Sequence, residues 1–295
     1  MSSRSSAARP PRALTADDLV LSHFSLARDH PIADRIEVAA AAGFAGIGLF
    51  VGQFRALQGA GMTIGQLDEL LAASNLCLAE IEVLTGWGST SPSDAYGEME
   101  SAVWELVDAF DSRYVQAIGP YEGTVADAAE RFGALCDRAA DHGAVVGLEF
   151  LPFTNIVDAA DALAIVEQAG RANGGVCVDI WHHARGANDL ELIRAIPAEL
   201  ITGIQMSDGP ATPIRTDVEP YDYKDDCLRH RVPPGEGEFD ATTFVGTLID
   251  MGVALPWSLE VCNDDVWVRP GGDHVRRVAD GMRTVLAAAR ARTRE

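Results

Sequence analysis

The chain has 295 residues, 47% hydrophobic and 23% charged, ordinary proportions for a globular protein able to bury a large core. Its 23 Lys and Arg face 44 Asp and Glu, a formal net charge of −21. That excess disfavours non-specific nucleic-acid binding and docking on anionic lipid, because both draw on clustered positive charge.

The opening segment MSSRSSAARPPRA carries Arg and Ser but no apolar stretch of the kind a secretory signal needs. Residues 1–17 are expected to form a disordered tail and residues 18–295 a single domain. The first β-type run is Leu19–Leu26, followed by a helix pattern over Ile32–Ala42, with Pro31 before its first turn and Gly43 just past its end. A second strand, Ala45–Val51, precedes a helix from about Thr63 to Ser74. A third, Leu76–Leu84, precedes a helix over Ser93–Ala109. Strand Tyr114–Ile118 leads to helix Val125–His142, and strand Ala144–Leu151 to helix Ala159–Gln168. Strand Gly175–Ile180 is followed by a short helix at Leu190–Ile196. Strand Ile201–Met206 runs into a long polar loop and a helix over Ala241–Met251. Strand Pro256–Val261 and a helix over His274–Ala289 close the series.

Strands alternating with helical patterns predict a parallel sheet, and near-continuous apolar strands predict burial on both faces. Eight such units fit a single closed (β/α)8 TIM barrel. The alternative is an open doubly wound sheet. Its dinucleotide-binding form would place GxGxxG after the first strand. Here that turn reads Ala27-Arg28-Asp29-His30-Pro31, without glycine. No apolar run is long enough to span a membrane. The cysteines Cys77, Cys136, Cys177, Cys227 and Cys262 are scattered, with no CxxC pair. Reduced thiols and a cytoplasmic location are the expectation.

In such barrels the functional groups stand at the C-terminal ends of the strands. Strand three ends with Glu80 and Glu82, and strand five carries Glu149. Strand six runs into Asp179 and His182, strand seven carries Gln205 and Asp208, and strand eight carries Glu260. Each acid alone reads as an isolated loop carboxylate. In order on successive strands, Glu149, Asp179, Gln205 and Glu260 read as an oxygen ligand set, because buried carboxylates must be paired or neutralised. Oxygen donors favour one Mn2+ or Mg2+ ion, with Co2+ also compatible. His182 follows Asp179 by three residues and is placed to reach the open positions. His183 would point elsewhere in an extended segment and reads as structural. Trp87 and Trp181 are read either as an apolar wall over a substrate or as packing. Arg231, beside His230 and a glycine turn, reads as an anchor for an anionic group, or as a surface arginine paired with Asp225 or Glu238. The 209–229 stretch is expected to cover the barrel mouth.

These residues lie in GLEF (147–150), VDIWH (178–182), IQMSD (204–208), HRVPPGEGEFD (230–240) and SLEV (258–261). Together they resemble the xylose isomerase-like TIM barrel superfamily of sugar phosphate isomerases and epimerases. The resemblance implies that Glu149, Asp179, Gln205 and Glu260 bind one divalent metal. It implies that His182 contacts substrate or moves a proton, and that His230 and Arg231 face the substrate. The activity implied is isomerisation or epimerisation of a small keto sugar or polyol, through proton abstraction next to a metal-bound carbonyl and an enediolate. Glu149 and Glu260 would then act from opposite sides. Many sugar epimerases have His where this chain has Gln205. The Gln form, with Asp208-Gly209-Pro210 and Arg229-His230-Arg231, is similar to 3-dehydroshikimate dehydratases, so a metal-dependent lyase of the 3-dehydroshikimate or inosose type is the alternative. Strand two ends in Gly48-Leu49-Phe50, where relatives often carry glutamate. A small polyhydroxylated substrate, anionic if the arginine is an anchor, is expected. Nucleic-acid and membrane partners are not, and a homo-oligomer is compatible with the class. A DNA-repair endonuclease of related fold would need a His-rich multi-zinc cluster, which seven His and −21 charge do not suit.

Overall fold

A computed structural model describes residues 13–214, 222–264 and 271–292. Among the described residues, eight parallel strands close on themselves in sequence order. They are β1 (Leu19–Leu21), β2 (Gly46–Phe50), β3 (Cys77–Leu84), β4 (Tyr114–Ile118), β5 (Val145–Glu149), β6 (Gly174–Asp179), β7 (Ile201–Met206) and β8 (Trp257–Leu259). Closure is made by β1 against β8, with Leu19 opposite Trp257 and Leu21 opposite Leu259. The helices are α1 (Ile32–Ala41), α2 (Val51–Gly59), α3 (Ile64–Ala73), α4 (Asp94–Phe110), α5 (Val125–Asp141), α6 (Ala159–Ala169), α7 (Ile180–Arg185), α8 (Leu190–Arg194), α9 (Tyr223–Arg229), α10 (Ala241–Asp250) and α11 (Gly271–Arg292). The expected TIM barrel is therefore the fold. No helix among the described residues is long and apolar enough to cross a membrane.

Local chemistry explains several boundaries. Thr63 and Gln66 form a reciprocal capping box at the start of α3, and Thr124 and Asp127 another at the start of α5. Asp158 caps α6 by accepting from the Ala160 and Asp161 amides, and Gly170 ends it in the left-handed conformation. The apolar faces so fixed pack onto strands whose residues are nearly all buried.

Three local readings are corrected. The run Leu19–Leu26 is a strand only to Leu21, and His23–Ser25 is a 3-10 turn. Arg35, buried on α1, donates to the carbonyls of His23 and Ala27 and holds that turn. Helices α2 and α7 were not anticipated, because both start at once from a strand with no polar break between. Residues 13–17 are not loose: Trp257 Nε1 donates to the Ala16 carbonyl at 3.0 Å, and Thr15 is bonded to Asp18. Residues 1–12 of the expected tail lie outside the described residues.

Glycines on β5 and β7 make room in the barrel. The Tyr114 ring lies over both, and a Cβ on Gly203 would come 2.0 Å from its oxygen and 2.5 Å from Cζ. Overpacking of this kind costs about 1–3 kcal/mol. Gly203→Ala is therefore expected to lower the urea midpoint by a corresponding amount. Adding Tyr114→Phe, which removes the closest atom, should recover part of the loss.

Candidate active site

The strand register brings the polar residues to one level. Asp179 lies opposite Gln205 across β6 and β7, and Glu149 opposite Cys177 across β5 and β6. Glu260 follows β8, and its amide donates to the Met206 carbonyl. All four expected ligands are buried at the same end of the barrel. Asp179 also caps α7, with Oδ1 accepting from the Trp181 amide at 2.6 Å. Because α7 begins there, His182 is one turn on and shares the face of Asp179. Its Nε2 lies 3.2 Å from Glu149 Oε1 and 3.8 Å from Asp179 Oδ2. Glu149, Asp179 and His182 thus present three donor atoms within 4.8 Å of one another, a buried triad able to hold a metal ion.

The other expected residues fall differently. Arg231 is not an exposed anchor. It is 1% exposed, and Nη1 donates to Asp179 Oδ2 at 2.7 Å and lies 3.0 Å from Glu260 Oε2. The surface pairing considered for it belongs to Arg229, which bridges Asp225 and Asp264. Trp181 is fully buried, with Arg185 and Arg231 packed against its ring, so it is not an open wall. Trp87 is packing as well, donating to the Ile118 carbonyl beside Phe132. His230 is half-buried: its backbone bridges to that of Asn263, and its Nε2 makes no hydrogen bond to the triad or to any other described group. His183, in a helix and not an extended segment, packs on Phe244.

Several residues that shape the site escaped the sequence reading. Gln116 on β4 donates through Nε2 to Glu149 Oε2 at 2.6 Å and to Gln205 Oε1 at 3.0 Å. One amide thereby orients two expected ligands. Its only sequence signal is a polar residue inside the apolar run YVQAI. Asp208, already expected at the end of strand seven, accepts from the amides of Gly209, Gly235 and Phe239, so it fixes the glycine turn of the PPGEGEFD segment. Arg185 pairs with Asp226 at 2.8 Å, both buried, and donates to the Pro210 carbonyl. This ties α9 and the start of the 209–229 stretch to α7. Residues 215–221 of that stretch lie outside the described residues, so the cover is seen only at its flanks.

Beside the expected ligands, β3 carries a second acidic pair, Glu80 and Glu82. Ser258 Oγ donates to Glu80, while Ser22 Oγ and the His23 amide donate to Glu82. Burial pushes Glu80 up to about 7, and its neighbours Glu260 and Glu149 add to the rise. Burial and the facing Glu80 raise Glu82 well above the usual carboxylate range. Burial raises Glu260 strongly as well, although Arg231 opposes it. For Asp179 burial is also the largest influence, but Arg231, His182 and the Trp181 amide together outweigh it and hold the group low.

The donors fit a divalent ion. Glu149 Oε1 is buried and makes no hydrogen bond, with only the His182 imidazole close by at 3.2 Å, an arrangement costly for a carboxylate unless a cation faces it. The set mixes carboxylate, amide oxygen and imidazole, compatible with several divalent metals.

A profile of the xylose isomerase-like TIM barrel family matches residues 36–288, and the chain belongs to that family. Proteins named as epimerases and dehydratases are among its relatives, and they are enzymes. A 3-dehydroshikimate dehydratase of Pseudomonas aeruginosa is 31% identical over 153 residues, 52% of this chain and 23% of the relative. The chain spans less than a quarter of the length of the curated relatives it matches. Among solved structures, the IolI protein with a bound zinc atom superposes with TM-score 0.79 at 17% identity, covering 92% of this chain and 98% of the other. A D-allulose 3-epimerase from Methylomonas sp. superposes with TM-score 0.69 at 17% identity, covering 91% and 98%. These two likenesses establish the shared fold.

Two outcomes follow. Asp226→Ala leaves the Arg185 charge buried and unpaired, and should destabilise the protein by about 3–5 kcal/mol in urea unfolding. Glu80 keeps its proton in the folded chain between its ordinary value of 4.5 and about 7, whereas the unfolded chain has released it. Stability of chelator-treated protein should therefore fall as pH rises through that window. Glu80→Gln should make the fall shallower in urea melts run across it.

Proposed function

We propose that this chain is a divalent-metal-dependent enzyme that removes a proton from the carbon next to a carbonyl, and that the reaction is dehydration of a 3-dehydroshikimate-like substrate. The observation that carries the reading is the buried triad of Glu149, Asp179 and His182, whose Glu149 Oε1 makes no hydrogen bond. Glu149, Asp179 and Glu260, with the Gln205 amide oxygen, would hold the ion. When bound, the ion would supply a Lewis acid to the substrate carbonyl.

The rest is the work of this chain's side chains. The Glu149 carboxylate or the His182 imidazole takes the proton from carbon, and general base action of this kind contributes about 10²–10⁴-fold. His182, 3.2 Å from Glu149, is placed to return a proton to the departing hydroxyl, so that water leaves and a carbon–carbon double bond forms. Gln116 keeps Glu149 and Gln205 in register. The burial of Trp181 beside His182 keeps bulk water from the imidazole.

Dehydration is favoured over epimerisation by Gln205 and by the two curated dehydratase relatives, 31% and 30% identical over 153 residues. Epimerisation remains the second reading, since Glu149 and Glu260 end separate strands and could work from two sides of one carbon. Incubation with 3-dehydroshikimate and Mn2+ is expected to yield an aromatic product seen by its ultraviolet absorbance. Conversion of a keto-sugar panel without that absorbance would instead assign the epimerase reading. His182→Asn should lower turnover by about 10²–10⁴-fold while Mn2+ still binds. Glu149→Gln and Glu260→Gln should each weaken Mn2+ binding and abolish turnover.

A further inference from the structure

Arg231 is the least expected side chain of the site. It is fully buried. Its Nη1 sits between two carboxylates, 2.7 Å from Asp179 Oδ2 and 3.0 Å from Glu260 Oε2. Asp179 Oδ2 is the oxygen that also faces His182. The other Asp179 oxygen is committed to the Trp181 amide. The guanidinium thus occupies the point at which a cation bridging Asp179 and Glu260 would have to stand. The other edge of the guanidinium is held where it now stands: Nε donates to the Cys227 carbonyl and Nη2 to the Cys227 thiol, both on α9, Nη2 lies 3.5 Å from His182 Nε2, and the plane lies 5.3 Å over the Trp181 ring. None of these contacts involves either carboxylate.

We propose that Arg231 is the resident counter-cation of the carboxylate centre, and that a divalent ion binds by displacing its guanidinium from Asp179 and Glu260. The inference rests on the reading of these residues as a metal site. A buried cation in the same place keeps the metal-free carboxylates neutralised, since unpaired buried charge is strongly destabilising. The same cation competes with the incoming ion, because whatever stabilises one form at the expense of the other lowers apparent affinity. Arg231 thereby trades metal affinity for metal-free stability.

The test is Mn2+ titration by calorimetry of chelator-treated full-length protein, alongside thermal melts. Wild type must bind Mn2+; if it does not, the metal reading itself fails. Arg231→Met, close in length and uncharged, should lower the melting temperature of the metal-free protein and tighten the Mn2+ Kd by about tenfold or more. Arg231→Lys keeps a charge but loses the fork that bridges both acids, and should tighten binding by a smaller factor. A folded Arg231→Met protein whose Mn2+ affinity is unchanged or weaker overturns the proposal, because the arginine would then be supporting the ligands. Should Arg231→Met not fold without metal, Mn2+ must restore the fold, and failure to do so overturns it equally.

Discussion

The interior of this barrel is governed by the cost of crowding acids away from water. Glu80, Glu82, Glu149, Asp179 and Glu260 are all buried within it. Arg231 touches two of them directly, and Arg35 lies near enough to Glu82 to be felt by it. Coulomb repulsion in a medium of low effective dielectric would drive such a group apart unless protons or cations intervene. The structure uses both. Glu80 and Glu82 share a hydrogen bond and are pushed toward the protonated form. Glu149, Asp179 and Glu260 are met by a guanidinium, a glutamine amide and an imidazole. Most of the polar geometry described above is a response to this single constraint.

That constraint also sorts the acids into two groups. Glu149, Asp179 and Glu260, with Gln205, stand on or just past β5 to β8. Glu80 and Glu82 lie on β3 and accept from Ser258, Ser22 and the His23 amide. Small residues on β5, β6 and β7 complete the arrangement by giving Tyr114 and its neighbours a place to lie.

The fold was legible because its signal is redundant. Eight strands and their helices each repeat the same alternation, and an error in one leaves the count intact. The expected ligands were legible because register is set by the strands, so residues at matching strand ends must converge. What sequence could not supply was the conformation just past a strand end. Leu19–Leu26 reads as one strand and Gly175–Ile180 as another, yet a helical turn begins at His23 and at Ile180, since a side chain at the strand end (Ser22 or Asp179) caps it. The burial of Arg231 was hidden for a related reason: only three-dimensional contact reveals that Asp179 and Glu260 lie against it. Gln116 was passed over because a lone polar residue in a strand carries no spacing to be recognised by.

Asp179 deserves a last consequence. It is the end of β6, the cap of α7, a partner of Arg231 and a member of the triad, all through two oxygens. A position with so many duties constrains how this lineage can change. Replacing Asp179 would also remove the cap on the first turn of α7 and free His182 to shift, so neither position can be adjusted alone. Variation among related chains should accordingly gather at neighbours such as residue 205, whose side chain joins the centre without holding up a helix.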